Sequence, residues 1–347
     1  MVLRTIFGIL LGFFFSTSLL AEELKINPNH PDQYTVVKGD TLWDISGKFL
    51  QHPWQWPKLW HNNPQIKDPH WIYPGDTLYF SYVNGEPRLS FSRYSGSGEE
   101  KMEPRIRESG IDSAIPMIPS DAIAQFLSSP KIVGKDELNN SPYIVDIGGN
   151  ERLVGGAGDR LYARSIVTPT TLSYGIYRQG DPYISPQTNE ILGYEALFIG
   201  DATLVASGDP ATLIANKSNS QIRQGDRLMP SEENSVALNY FPKAPESQIS
   251  AYIIRVMGGI TQIGQHDIVV IDKGIADGLQ AGHTLNIFRA GRVINDTLHS
   301  IEEPEAVKLP DEYSGVIMIF RPFERVSYAL VMDALGPIHI LDRVQTP

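Results

Sequence analysis

The sequence predicts an α+β fold, with an N-terminal β-α-α-β module followed by mainly-β C-terminal modules that form small barrels or sandwiches. Residues 34–81 alternate short strand patterns with short helical ones. From Tyr143 onward, short apolar runs are separated by Gly, Pro, Asp and Asn, which is typical of β structure. This β region also contains two sets of similar segments, which predicts a repeat.

The bulk composition limits the class of protein. The chain has 347 residues, which predicts two or three domains. Its formal net charge of −11 argues against binding to nucleic acid or to an anionic membrane surface. It contains no Cys, which excludes disulfides, thiolate metal sites and a Cys nucleophile.

Residues 1–21 have the pattern of a secretory signal peptide. Arg4 precedes the apolar run from Ile6 to Leu20, and Ala21 stands before the first acidic residue, Glu22. The run is shorter than the roughly 20 residues that span a bilayer. We therefore expect cleavage after Ala21, a periplasmic protein and no transmembrane span in the mature chain. An uncleaved signal anchor is the alternative.

The segment 34–81 is rich in aromatic residues and neutral in charge. It holds all five tryptophans of the chain and four Lys against four Asp: Trp43, Trp54, Trp56, Trp60 and Trp71; Lys38, Lys48, Lys58 and Lys67; Asp40, Asp44, Asp68 and Asp76. A neutral aromatic region in an acidic chain favours an uncharged ligand with apolar faces, such as a sugar.

The local patterns in this segment define four elements. Residues 34–37 read as a strand, and a capping box from Thr41 to Asp44 opens a first helix. Pro57 suits the start of a second short helix, which Asn63-Pro64 ends. After the turn at Pro74-Gly75, residues 77–80 read as the closing strand.

These residues resemble the LysM family. The stretch 34–45, the Asn-rich 62–64 and the stretch 72–78 match the opening, centre and close of its signature. The resemblance implies a β-α-α-β fold that binds N-acetylglucosamine in peptidoglycan, chitin or related glycans. It implies a groove between two loops, whose residues in this chain are Gly39, Asp40, Thr41 and Leu42 on one side and Ile72, Tyr73, Pro74 and Gly75 on the other. Asp40 and Asp76 read as turn and cap residues, not as acids or bases.

The chain departs from the family pattern between the helices and before the last strand. Residues 51–56 are longer and more aromatic than the usual connector, and residues 67–71 extend the later loop. Trp54 and Trp71 are candidate additional glycan contacts, with packing inside the module as the alternative. For Trp60 we expect packing.

Residues 82–140 read as a flexible linker, followed by β module 1 (141–230) and β module 2 (250–347). Four segments of the two modules align: 158–163 with 282–287, 193–198 with 315–320, 203–206 with 328–331, and 225–228 with 341–344. A similar tail occurs in LysM-containing proteins of Gram-negative bacteria, and its sequence suggests no activity.

The resemblance also raises the question of catalysis, because LysM modules are often fused to wall hydrolases. The eight His do not form the pairs of a zinc peptidase, and no nucleophile motif is complete. Glu108-Ser109 matches only a fragment of the lytic transglycosylase pattern. A carboxylate pair of a glycosidase stays open, since Asp and Glu are plentiful.

The sequence thus predicts a non-catalytic peptidoglycan-binding protein of the cell envelope, with no cofactor or metal. The β region 141–347 is expected to act as a scaffold or to dock an envelope protein. Two alternatives stay open: a wall-remodelling hydrolase with catalytic carboxylates in the β half, and a structural part of an envelope machine.

Overall fold

The structure is a computed structural model that describes residues 24–61, 72–92, 116–119, 122–123, 126, 131–148, 152–166, 169, 171–231, 240–258, 263–296 and 305–347. The predicted signal peptide, the Asn62-Asn63-Pro64 segment, Trp71 and Glu108-Ser109 lie outside these residues. Within them, no helix combines the length and the apolar character needed to cross a membrane.

The N-terminal module has the predicted order of elements and extends beyond both ends of the predicted segment. Residues 24–32 join it, since Asn27 donates its N–H to the Phe49 carbonyl over 2.9 Å. Its elements are β1 (Gln33–Thr35), α1 (Leu42–Phe49), a 3-10 turn (Pro53–Gln55), α2 (Trp56–His61), β2 (Thr77–Val83) and β3 (Glu86–Ser92). The three strands form one antiparallel sheet in the order β1-β2-β3.

The predicted linker 82–140 contains regular structure that the sequence did not indicate. Residues 86–92 form β3, which pairs with β2 along its whole length around the turn at Asn84-Gly85. Further on, β4 (Lys131–Val133) adds to the sheet of the first C-terminal module, and α3 (Lys135–Asn140) follows. The Asn84-Gly85 pair is thus a hairpin turn, not the start of a linker.

The first C-terminal module is a six-stranded ring with one added strand. The ring order is β5-β7-β10-β9-β8-β12, closed by pairing of β12 with β5. Short β6 and β11 pair beside it. The strands are β5 (Tyr143–Ile147), β6 (Val154–Gly155), β7 (Arg160–Arg164), β8 (Ser173–Ile184), β9 (Ile191–Ala206), β10 (Ala211–Ser218), β11 (Ile222–Arg223) and β12 (Arg227–Pro230).

The second C-terminal module is a closed barrel in the order β13-β14-β19-β18-β15-β20, with a separate hairpin of β16 and β17. Of the two predicted architectures, barrels or sandwiches, the structure has barrels. The elements are β13 (Ser250–Val256), β14 (Ile268–Ile271), a 3-10 turn (Ile275–Asp277), β15 (Thr284–Arg289), β16 (Val293–Asp296), β17 (Glu305–Lys308), β18 (Glu312–Pro322), β19 (Ser327–Ala334) and β20 (Arg343–Gln345).

The two modules repeat one topology, because replacing β5, β7, β8, β9, β10 and β12 in order by β13, β14, β15, β18, β19 and β20 gives the same ring. Backbone bonds repeat with it. In the first module, the Ile144 carbonyl accepts the Gly225 N–H, and the Ile144 N–H donates to the Asp226 carbonyl. In the second module, Ile253 makes the same two bonds with Leu341 and Asp342. The predicted alignment of 225–228 with 341–344 is therefore correct.

The other three predicted alignments of the repeat are wrong in register or in strand. The counterpart of 158–163 is 266–271, since Gly158 and His266 both have positive φ and each donates to the strand opposite, β10 or β19. Gly315 matches Gly200, not Gly193. A Cβ added at Gly200 would lie 2.2 Å from the Lys217 carbonyl oxygen of the neighbouring strand, and one added at Gly315 would lie 2.1 Å from that of Asp333. Residues 203–206 continue β9, whereas 328–331 lie in β19, the counterpart of β10.

The outer face of the second barrel is buried as well as its interior. The inward residues of β14, β18 and β19, such as Val269 and Ile317, belong to the barrel core. Their outward neighbours, such as Val270 and Met318, belong to a cluster that also holds the core of the N-terminal module. Burial on both faces explains why these strands are continuously apolar instead of alternating.

Candidate functional site

The two loops of the predicted groove are built as the same kind of turn. In the first glycine turn, residues 37–40, Gly39 has φ +100° and the Asp40 carboxylate accepts the Val37 N–H over 2.9 Å. In the second glycine turn, residues 73–76, Gly75 has φ +97° and the Asp76 carboxylate accepts the Tyr73 N–H over 3.0 Å. Both aspartates thus hold backbone turns, the role that the sequence predicted for them.

Val36 joins the two glycine turns. Its N–H donates to the Asp76 carbonyl over 2.9 Å, and its carbonyl accepts the Gly75 N–H over 2.8 Å. Because Val36 directly precedes the first turn, both turns lie at one end of the β1–β2 pair. The structure therefore brings together the two sets of residues that the sequence analysis assigned to one site.

Helix α1 begins directly after the first glycine turn. Thr41 is the N-cap residue: its hydroxyl accepts the Asp44 N–H over 3.1 Å, and the Asp44 carboxylate accepts the Thr41 N–H over 3.2 Å. The predicted capping box is confirmed. Thr41 and Leu42 are only 4% and 2% exposed, so their side chains belong to the core of the module.

A segment from the predicted linker lies on this helix end. The N–H groups of Leu42 and Trp43 donate to the carbonyl oxygens of Pro116 and Met117 over 3.0 and 3.2 Å. These donors have no partner within the helix, because the first N–H groups of any α-helix lack a carbonyl one turn back. With Thr41 bonded to the Asp44 N–H, residues 116–117 complete the hydrogen bonding of this turn.

The candidate residues differ in exposure. Gly39 and Gly75 are exposed, and Asp40, Tyr73 and Pro74 are partly exposed. Thr41, Leu42 and Ile72 are buried. A ligand on this surface thus meets the backbone of the two glycine turns and the ring of Tyr73, while the apolar side chains lie beneath.

Tyr34 and Lys48 add polar groups beside the first glycine turn. The Tyr34 hydroxyl donates to the Asp40 carboxylate over 2.9 Å, and the Lys48 ammonium lies 4.7 Å from the centre of its ring. Burial, together with Asp40, raises the pKa of Tyr34 to about 12. The phenol therefore stays neutral at physiological pH and holds Asp40 in place.

The structure places Trp54 inside the module. It is 3% exposed, with its ring centre 6.5 Å from that of Trp43 and 4.6 Å from that of His52. It therefore packs in the core and presents no surface to a ligand in this conformation. Trp71 and the side chain of Trp60 lie outside the described part of the chain.

The geometry of the two glycine turns agrees with a comparison against known families. Residues 34–81 match the LysM domain model. The segment is thus similar to LysM domains, and residues 34–81 with their flanking strands are called the LysM domain for this similarity. The match includes the last two residues of β1, α1, α2, both glycine turns and the first five residues of β2, and it does not extend to the barrels.

A curated relative is similar to this chain over a short stretch. Over 58 residues the chain is 45% identical to the protein called "Uncharacterized protein YqbP" of Bacillus subtilis (strain 168). The similar region covers 14% of this chain and 26% of that protein. The chain thus spans about a quarter of the length of the curated relative that it matches.

Sequence reasoning missed the residues that close the helix end. Pro116, Met117 and Ile118 were assigned to a flexible linker, although Met117 and Ile118 are 3% and 1% exposed. The signal for them was weak, since two apolar residues between prolines resemble any loop. Among the described residues, no three His, Asp or Glu side chains come together as a metal site would require.

Proposed function

We propose that this chain is a non-catalytic peptidoglycan-binding protein of the periplasm, which holds N-acetylglucosamine glycan through its LysM domain. The observation that carries the proposal is the pairing of the two glycine turns through Val36. It places exposed backbone and the partly exposed Tyr73 over buried Leu42 and Ile72. Sugars bind well where backbone polar groups stand beside an aromatic face.

In this proposal each residue of the turns has a distinct role. The backbone of Gly39 and Gly75 approaches the sugar closely, because glycine carries no Cβ. Asp40 and Asp76 fix the turns through the N–H groups of Val37 and Tyr73. Tyr73 and Pro74 offer the apolar surface for the face of the sugar ring.

The barrels serve as a scaffold or as a docking body for an envelope protein. Their interior is filled by aliphatic side chains such as Ile144 and Leu213 in the first and Ile253 and Ile317 in the second, which favours a structural role. Ion pairs link them: Arg255 to Glu195 over 2.8 Å, and Arg325 to both oxygens of Glu190 over 2.6 and 2.9 Å. A body joined in this way suits a fixed link between glycan and a partner.

The test is co-sedimentation of the full chain with purified peptidoglycan sacculi, with the supernatant assayed for released fragments. We expect the protein in the pellet and no soluble fragments. Fragment release would favour the hydrolase alternative and direct attention to the carboxylates of the barrels. Protein left in the supernatant would contradict glycan binding.

A further inference from the structure

The segment 116–118 lies against the start of α1, next to residues of the proposed glycan site. The carbonyls of Pro116 and Met117 accept the first two N–H groups of the helix. Leu42, which makes the first of these bonds, belongs to the proposed glycan site. The contact is anchored, since Met117 and Ile118 share one apolar cluster with the core of the LysM domain.

The same stretch of chain is held at its other end by the second barrel. Ile123 is buried in the shared cluster, and Arg321 of β18 donates to the Phe126 carbonyl over 2.8 Å. Residues 116–119, 122–123 and 126 thus form a bridge between the LysM domain and the second barrel. Because both ends belong to one stretch of chain, a movement of residues 116–118 is expected to affect the contacts of Ile123 and Phe126.

We propose that residues 116–118 are an internal competitor of the glycan. In the free protein they occupy the N–H groups of Leu42 and Trp43, and a bound glycan displaces them and supplies amide carbonyls in their place. This inference rests on the proposed function. It implies that glycan binding is weakened by the closed segment and that occupancy loosens the bridge to the second barrel.

Two facts favour a displaceable contact over a permanent part of the fold. The LysM domain closes its own sheet and caps its own helix through Thr41, so neither feature depends on the two backbone bonds from residues 116–117, which are made beside the buried side chains of Met117 and Ile118. The acceptors that they offer are amide carbonyls, the group that an N-acetylated sugar also carries. Exchange between the two sources leaves no N–H group unsatisfied.

The first test is hydrogen–deuterium exchange of the full chain, with and without an N-acetylglucosamine oligomer. We expect peptides that contain Met117 and Ile118 to exchange faster when the oligomer is bound, while peptides that contain Leu42 and Trp43 stay protected. Binding of the oligomer with unchanged exchange at residues 117–118 would overturn the inference and leave glycan binding intact.

The second test is the affinity of the full-chain variant Met117→Ser for the same oligomer. The substitution should loosen residues 116–118 and so raise the fraction of protein molecules whose Leu42 and Trp43 N–H groups are open to the glycan. We therefore expect the variant to bind the oligomer about threefold more tightly, or tighter still. The matched control is Met229→Ser, an equally buried methionine of the first barrel, for which we expect no change. Equal or weaker binding by Met117→Ser would overturn the inference. If the wild type and both variants fail to bind oligomer and sacculi, the proposed function fails as well.

Discussion

Gly75 donates its backbone N–H to the carbonyl oxygen of Val36 over 2.8 Å, and this bond fixes the second glycine turn against the residue that leads into the first. The return bond, from the Val36 N–H to the Asp76 carbonyl, is 2.9 Å long. The two turns therefore form one rigid unit, and a change in the backbone of either is expected to affect the other.

Replacing Gly75 by alanine should destabilise the LysM domain. Nothing lies within 4 Å of the added Cβ, so the cost comes from the φ of +97°, which alanine disfavours by about 1 kcal/mol. Urea unfolding followed by tryptophan fluorescence measures it, because all five Trp lie in this domain. Gly47→Ala is the control in the same domain, at a helical position without positive φ and with an ordinary contact of 3.5 Å to Pro53, and it should not destabilise the domain. Equal effects of both variants would contradict the account.

Asp226→Ala should destabilise the protein more than Asp342→Ala. Each carboxylate accepts the N–H three residues earlier, from Arg223 or His339, over 2.8 Å. Asp226 also receives two bonds of 2.8 Å from the Arg178 guanidinium, which is left without its ion partner in the variant. We expect losses of about 2–3 and about 1 kcal/mol, measured by thermal unfolding. Equal losses of stability in the two variants would show that the ion pair of Arg178 with Asp226 does not stabilise the fold.

Asp272 should make stability depend on pH. Burial raises the pKa of its carboxyl above the usual 3.8, so the folded protein retains the proton more strongly than the unfolded chain. The stabilisation is complete below 3.8 and is lost as pH rises through the folded pKa.

The variant that tests this effect is Asp272→Asn, whose amide oxygen can still accept the Tyr252 N–H. The stability of the wild type relative to this variant should fall between about pH 4 and about pH 7, measured by urea unfolding. A difference that is the same at both values would show that Asp272 is not the titrating group.

Trp54 should be required for folding but not for sugar binding. It is buried against Trp43, so Trp54→Ala should cost about 3 kcal/mol of stability, whereas Trp54→Phe keeps most of the packing. Calorimetric titration of the Trp54→Phe variant with an N-acetylglucosamine oligomer should give the wild-type affinity. Loss of affinity in a folded Trp54→Phe protein would make this ring a ligand contact.

The local signals of the LysM domain were sufficient to predict its elements. The capping box, the turn glycines and the closing strand depend on neighbours in sequence, and the structure has all three. The β structure from Tyr143 onward was predicted for the same reason, since short apolar runs between turn residues are a local signal. Strands β8 and β10 have weaker local signals, because Gly180, Asp181 and Pro182 interrupt the apolar pattern of β8 and a polar end follows the apolar start of β10.

The contacts between distant segments could not be predicted from the sequence. The register of the repeat depends on close backbone approaches, such as Gly200 against Lys217, which a comparison of side chains does not detect. The contact of Pro116 with Leu42 joins residues more than seventy positions apart, and no local pattern marks it. The residues of the candidate site were thus predicted, but the contact of residues 116–118 with the start of α1 was not.

The most direct test of the account is calorimetric titration of the full chain with an N-acetylglucosamine oligomer, comparing wild type, Tyr73→Ala and Tyr82→Ala. Tyr73 lies in the second glycine turn, whereas Tyr82 is an exposed tyrosine on the β2–β3 hairpin of the same sheet. We expect Tyr73→Ala to weaken binding about tenfold, on the order of 1.4 kcal/mol, and Tyr82→Ala to leave it unchanged. Unchanged binding by a folded Tyr73→Ala protein would contradict the claim that the glycan lies between the two glycine turns.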